Sequence, residues 1–174
     1  MDIRQNIIKI LFVMFSILFF SCNKSVKDKI VLTSGLSMNP KEMRFGIEIN
    51  QDSIYYCEEK EEKKGAYNYY YINYKYEGFL NMKKSLGRIF RNEMIKSESV
   101  IDGTPYKIYT SFNKKKDSVK FYYDYLNDEQ LKLIDKIKVL KKLKFKKISY
   151  HYFPTELLTE KLPPPPDNYG FCKL

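Results

Sequence analysis

The apolar residues of this chain change their spacing several times between Phe45 and Tyr152, and that succession constrains the fold more than any single motif. Phe45, Ile47 and Ile49 alternate with Gly46, Glu48 and Asn50, and the run Ile54-Tyr55-Tyr56-Cys57 resumes after Asn50-Gln51-Asp52-Ser53. Alternation on both sides of a short polar turn predicts a β-hairpin. Glu58 to Lys64 is charged throughout and reads as an exposed loop or strand extension, closed by Gly65. Tyr70, Ile72, Tyr74 and Tyr76 then share one face of a third strand, with Tyr69 and Tyr71 on the other. From Asn81 the spacing is helical, with Met82, Leu86, Ile89, Phe90 and Met94 in one stripe. Tyr106 to Phe112 and Val119 to Tyr125 alternate around a turn at Asn113 to Asp117, which predicts a second hairpin. Asn127 and Gln130 have capping-box spacing, and Leu133, Ile134, Ile137 and Leu140 give the helix after them a buried stripe. Ile148, Tyr150 and Tyr152 predict one more strand within Phe145 to Phe153.

This order implies an α+β domain, an antiparallel sheet of about five strands with two helices packed on one face and the other face open to solvent. The expected organisation is a single domain over 43–153, preceded by a tether over 22–42 with some order near Ile30 to Leu32. A proline-rich tail over 154–174 follows, in which Pro163 to Pro166 favour an extended polyproline II rod. The 153 residues from Cys22 onward suit one domain and can bury about 68 to 70% of the unfolded chain's surface.

The first 21 residues carry an address. Arg4 and Lys9 flank the apolar run Ile10 to Phe20, which is shorter than the roughly 20 residues that span a bilayer and suits a secretion signal. The run ends in Ser21-Cys22 and turns polar at Asn23-Lys24. A small residue followed by cysteine at this place resembles the lipobox of bacterial lipoproteins, with Phe19 and Phe20 standing where Leu and a small residue are commoner. The resemblance implies that 1–21 is a signal peptide and that Cys22 becomes the acylated first residue of a membrane-anchored protein in the cell envelope. Asn23 is not the aspartate associated with inner-membrane retention, so the implied destination is the outer membrane. An uncleaved signal anchor and plain secretion after Ser21 are the alternatives. In element order alone, residues 43 to 145 also resemble the small uncharacterised α+β domains of bacterial lipoproteins.

The formal net charge is +10, and removing residues 1–21 leaves +9 because Arg4 and Lys9 go with Asp2. Behind a lipoprotein signal this basicity points to anionic lipid headgroups, an acidic protein or an acidic glycan in the periplasm, and not to nucleic acid. A coding bias toward Lys, Asn, Ile and Tyr accounts for the same composition. Sixteen tyrosines without tryptophan place many rings on strands. Tyr69, Tyr71, Tyr109 and Tyr122 fall out of phase with the inferred core and form a possible binding face, the alternative being that they pack beneath loops or helices. Lys138, Lys141, Lys142 and Lys146 belong to a lysine series that reads either as a solvated helix face or as a face turned to the membrane.

Cys57 and Cys172 are a possible disulfide in a compartment that permits one, or else two unrelated thiols. The one histidine, His151, reads as a strand residue among aromatics. No nucleophile, metal-ligand or phosphate-loop motif occurs, so neither a catalytic residue nor a metal or cofactor is expected. The function expected is that of a lipid-anchored, non-catalytic binding or inhibitor-type module with an envelope protein or glycan as partner. A structural or assembly accessory of an outer-membrane complex, and a hydrolase whose carboxylates meet only in the fold, are the alternatives.

Overall fold

The structure, a computed structural model, describes residues 27–37, 39, 41–89 and 103–160. Its strands are β1 (Lys29–Ser34), β2 (Phe45–Ile49), β3 (Ser53–Lys60), β4 (Lys63–Asn73), β5 (Pro105–Phe112), β6 (Lys115–Tyr122) and β7 (Lys146–Ile148). They form one sheet in the order β6-β5-β1-β2-β3-β4-β7, antiparallel at every pairing. Two helices, α1 (Phe79–Ile89) and α2 (Asp128–Val139), lie on one face. The α+β class and the antiparallel sheet with two helices match expectation; the sheet has seven strands where about five were expected.

The largest correction is β1. It lies inside the segment expected to be a tether, yet it pairs with β2 on one side and β5 on the other, so the folded unit begins before residue 43. Ile30 and Leu32 point into the helix-covered core, while Val31 and Thr33 point to the opposite face, and all four are buried. A strand buried on both faces shows no apolar–polar alternation, and Ile30-Val31-Leu32 is therefore a short continuous apolar run.

The inner core follows the predicted phases. Ile47, Ile49, Ile54, Tyr56, Ile108 and Phe121 meet Phe79, Met82, Leu86, Leu133, Ile134 and Ile137 of the helices. The capping box of α2 is present: Asn127 Oδ1 accepts from Gln130 N and Gln130 Oε1 from Asn127 N, each at 3.0 Å. α1 starts at Phe79, two residues before the expected start, and Phe90 and Met94 of its predicted stripe lie outside the described residues. β4 ends at Asn73, so Tyr74 and Tyr76 follow the strand, and a single 3-10 turn at Tyr123–Tyr125 ends the alternation of β6.

The far face is not open as expected. After β7 the chain leaves the sheet edge, and residues 149–160 run back across this face as a strap in place of the strand predicted to Phe153. Phe153, Leu157 and Leu158 are buried there, so residues 154–160 belong to the fold and not to a tail. Gly46 makes the seat. A Cβ at this position would lie 3.0 Å from both Cys57 Sγ and the Phe153 ring, so only a residue without a side chain admits that close approach.

The β5–β6 turn is a two-residue one, with Asn113 at φ 49° and Lys114 at φ 66°. Both values belong to a type I′ turn, where the second position normally takes glycine. Lys114→Gly is expected to raise stability by about 1 kcal/mol in chemical denaturation, because it removes the Cβ strain of a left-handed residue.

Candidate functional site

The face beneath and beside the strap is lined by tyrosines. Register places Tyr55 opposite Tyr71, Cys57 opposite Tyr69 and Glu59 opposite Tyr67 on β3 and β4, all on the face away from the helices. The rings connect: Tyr55 and Tyr71 have centroids 4.9 Å apart, Tyr67 and Tyr69 6.4 Å, and Tyr69 meets Tyr150 of the strap edge-on at 5.1 Å. His151 stacks on Tyr55 at 3.7 Å and abuts Phe153 at 5.1 Å. Tyr150 and Tyr152 stand 62% and 65% exposed, so the surface ends in two large rings left in water.

Polar groups hold the strap in place. Glu48, buried on β2, lies 2.9 Å from Lys29 Nζ and 3.4 Å from His151 Nε2. Burial opposes its charge, but these two partners outweigh burial and keep its carboxyl below the ordinary value of 4.5. Arg44, also buried, pairs with buried Glu59 and donates from Nη1 to the carbonyl oxygens of Leu157 (3.3 Å) and Glu160 (2.8 Å). Burial likewise opposes the charge of Glu59, and the hydrogen bonds from Arg44 and the Gly65 amide hold its carboxyl below the ordinary value. The Tyr67 hydroxyl donates to Leu158 O at 2.7 Å, and the Thr33 and Thr155 hydroxyls meet at 3.0 Å. This is an arrangement for contact: flat rings and hydroxyls on a braced surface, with both buried carboxylates bound to cations.

The predicted site residues scatter. Tyr69 and Tyr71 lie together in the aromatic surface. Tyr109 shares their face on β5, but four strand spacings from Tyr71, about 19 Å. Tyr122 lies on β6 at the sheet edge, opposite Pro105. Tyr55, Tyr67, Tyr150, Tyr152 and His151 were not among the predicted binding residues. A sequence cue did exist in Phe153-Pro154, since proline disfavours continuing a paired strand. Instead of a strand residue, His151 is a clamp between Tyr55 and Glu48.

Lys138 and Lys141 do not extend from a solvated helix face. Lys138 Nζ sits 3.8 Å from the Tyr123 ring centroid and 4.6 Å from that of Tyr106, and Lys141 Nζ sits 4.0 Å from that of Phe45. Burial pushes both ammonium groups below the ordinary lysine value. They line a cavity of about 640 Å³ at the end of the sheet where β1 finishes, together with Ser34, Thr104 and the exposed Lys142. Lys146 is exposed on β7, opposite Tyr71. A wider groove of about 1010 Å³ separates α1 from the β5–β6 hairpin.

Cys57 carries a buried thiol, pushed up to about 12 by burial, while Cys172 and the lipobox cysteine Cys22 lie outside the described residues. Among the described residues no cluster of His, Cys, Asp and Glu has the geometry of a metal site, and no helix is long and apolar enough to cross a membrane. No protein-family model matches the chain, nor does any curated protein or solved structure.

Two outcomes test this construction. Phe153→Ala is expected to cost about 3 kcal/mol and, by lifting the strap, to speed modification of Cys57 in the native protein, read by peptide mass mapping. Glu48 and Glu59 both have folded values below the ordinary one, so their contribution is fully present above about pH 4.5 and is lost as the pH falls through the folded values. Chemical denaturation between about pH 6 and pH 3 is therefore expected to show stability falling with acid, with a shallower fall in Glu48→Gln.

Proposed function

We propose that this chain is a lipid-anchored, non-catalytic binding module of the bacterial cell envelope, attached through Cys22 to the outer membrane, whose tyrosine face holds an acidic protein partner. The observation that carries the reading is the aromatic surface of Tyr55, Tyr69, Tyr71, Tyr150 and Tyr152, with the last two largely exposed on a braced strap. Tyrosine combines apolar area with a hydroxyl and loses little rotamer freedom on binding, which suits a protein interface. Because Phe153, Arg44 and Glu48 fasten the strap, the rings are ordered before a partner arrives, and binding costs less entropy. Charge supports an acidic partner, since the chain carries +10 overall and Lys146 stands exposed beside Tyr71.

A non-catalytic role agrees with the chemistry of the buried carboxylates. A general acid at neutral pH needs a raised value, whereas Glu48 and Glu59 are both lowered by the cations beside them. Attachment through Cys22 rests on the Ser21-Cys22 resemblance to a lipobox.

Capture from detergent-solubilised envelope with the full, acylated chain as bait is expected to retain one acidic protein. Tyr150→Ala/Tyr152→Ala should weaken that capture by at least about tenfold, with an unchanged thermal midpoint because both side chains are exposed. Equal capture by the double variant would remove the tyrosine face from the reading. Capture of no protein, with binding on a glycan array instead, would replace the protein partner with a sugar.

A further inference from the structure

We propose that the end of the sheet where β1 begins is a docking surface for an anionic bilayer, made by the β5–β6 turn, the segment after β4 and the first turns of α1. The inference rests on the anchor reading of Cys22 and adds to it which end of the domain meets the lipid.

Topology makes the first step. Lys27 pairs with Asp52 of the β2–β3 loop at 2.9 Å. Asp28 accepts from the Asn113 amide at 2.8 Å and from Lys83 Nζ at 2.7 Å. The incoming chain is therefore pinned at one end of the sheet, between the β2–β3 loop, the β5–β6 turn and α1. Cys22 precedes Lys27 by five residues, a reach of at most about 18 Å even when fully extended. The opposite end of β1 is about 20 Å further away.

Charge makes the second. At the anchor end Lys75, Lys84, Lys114, Lys115 and Lys116 are exposed, and none is in an ion pair among the described residues. The carboxylates there are Asp28 and Asp52, already engaged by Lys83 and Lys27, together with Glu77 and Asp117. The surplus is cationic, as an anionic headgroup layer requires. The same end exposes Leu80 (58%) and Tyr74, an aliphatic and an amphipathic aromatic side chain of the kinds that enter the interfacial layer.

Backbone conformation makes the third. Lys114 occupies the position of a type I′ turn where glycine relieves strain, so the chain keeps a lysine at the outermost point of this end at a cost in stability. By contrast, Lys138 and Lys141 lie at the opposite end of the sheet with their ammonium groups over aromatic rings.

Lysine acetylation footprinting tests the proposal on the acylated full chain in vesicles of phosphatidylcholine with or without phosphatidylglycerol. With phosphatidylglycerol, acetylation of Lys75, Lys114, Lys115 and Lys116 is expected to slow about fivefold, the factor one well-placed basic residue carries at an anionic surface. Lys142 and Lys144 should react at unchanged rates, and about 1 M salt should abolish the difference. In Lys114→Glu/Lys115→Glu/Lys116→Glu, whose substitutions are solvent-exposed, the protection of Lys75 should disappear. Equal rates in the two vesicle types, or protection of Lys142 and Lys144 instead, would overturn the docking surface. The mass of the N-terminal fragment separates the two readings. An unmodified Cys22 overturns the anchor and this inference together, whereas an acylated Cys22 with unprotected lysines overturns this inference alone.

Discussion

The sheet depends on the insertion of β1 between β2 and β5. On one side of it stand β2, β3, β4 and β7, joined in series; on the other stands the β5–β6 hairpin. A two-stranded hairpin is marginally stable by itself in water, so β5–β6 needs the backbone hydrogen bonds of β1 to become part of a larger sheet. The six paired positions of β1 against β5 supply them, from Lys29 opposite Ser111 to Ser34 opposite Tyr106. Both helices can then pack across one continuous floor, with Ile30 and Leu32 in its middle.

Because β1 is buried on both faces, it also determines where the strap can lie. Val31 joins Cys57, Phe153 and Leu158 in a second apolar cluster opposite the helices, and the Thr33 hydroxyl meets that of Thr155. Two buried acid–base sets brace the strap at different points, Glu48 with Lys29 and His151, and Glu59 with Arg44. Such groups are costly to desolvate and are stable only when paired, so the strap and the carboxylates depend on each other. With Phe153 seated over Gly46, the preceding residues cross β3 and β4, and Tyr150 is brought against Tyr69.

These features separate the surfaces of the molecule by direction. The proposed lipid contact lies at the end where the chain enters, the tyrosines occupy the broad side of the sheet away from the helices, and the cavity beside Lys138 and Lys141 opens at the opposite end. A sheet standing with its strands directed away from the bilayer would leave the tyrosine side free along its length. Anchoring and recognition would then use different surfaces.

Local order was legible wherever one face of an element is wet. The two hairpins and the inward phase of Tyr70 and Ile72 against the outward phase of Tyr69 and Tyr71 follow from alternation, and the capping box of α2 follows from Asn127 and Gln130. What the residues alone determined about this protein was the α+β class, the faces of its amphipathic elements and its basic, tyrosine-rich character, since each depends on spacing or composition. Tertiary structure decided that Ile30-Val31-Leu32 is the inner part of a central strand, that Phe153 to Leu158 covers a sheet face, and that Glu48, Lys29 and His151 meet. It also turned Lys138 onto Tyr123, although helical spacing placed that lysine on a solvated face. The physical reason is distance along the chain: His151 is 103 residues from Glu48, and no local period records a contact that exists only after the sheet has closed around β1.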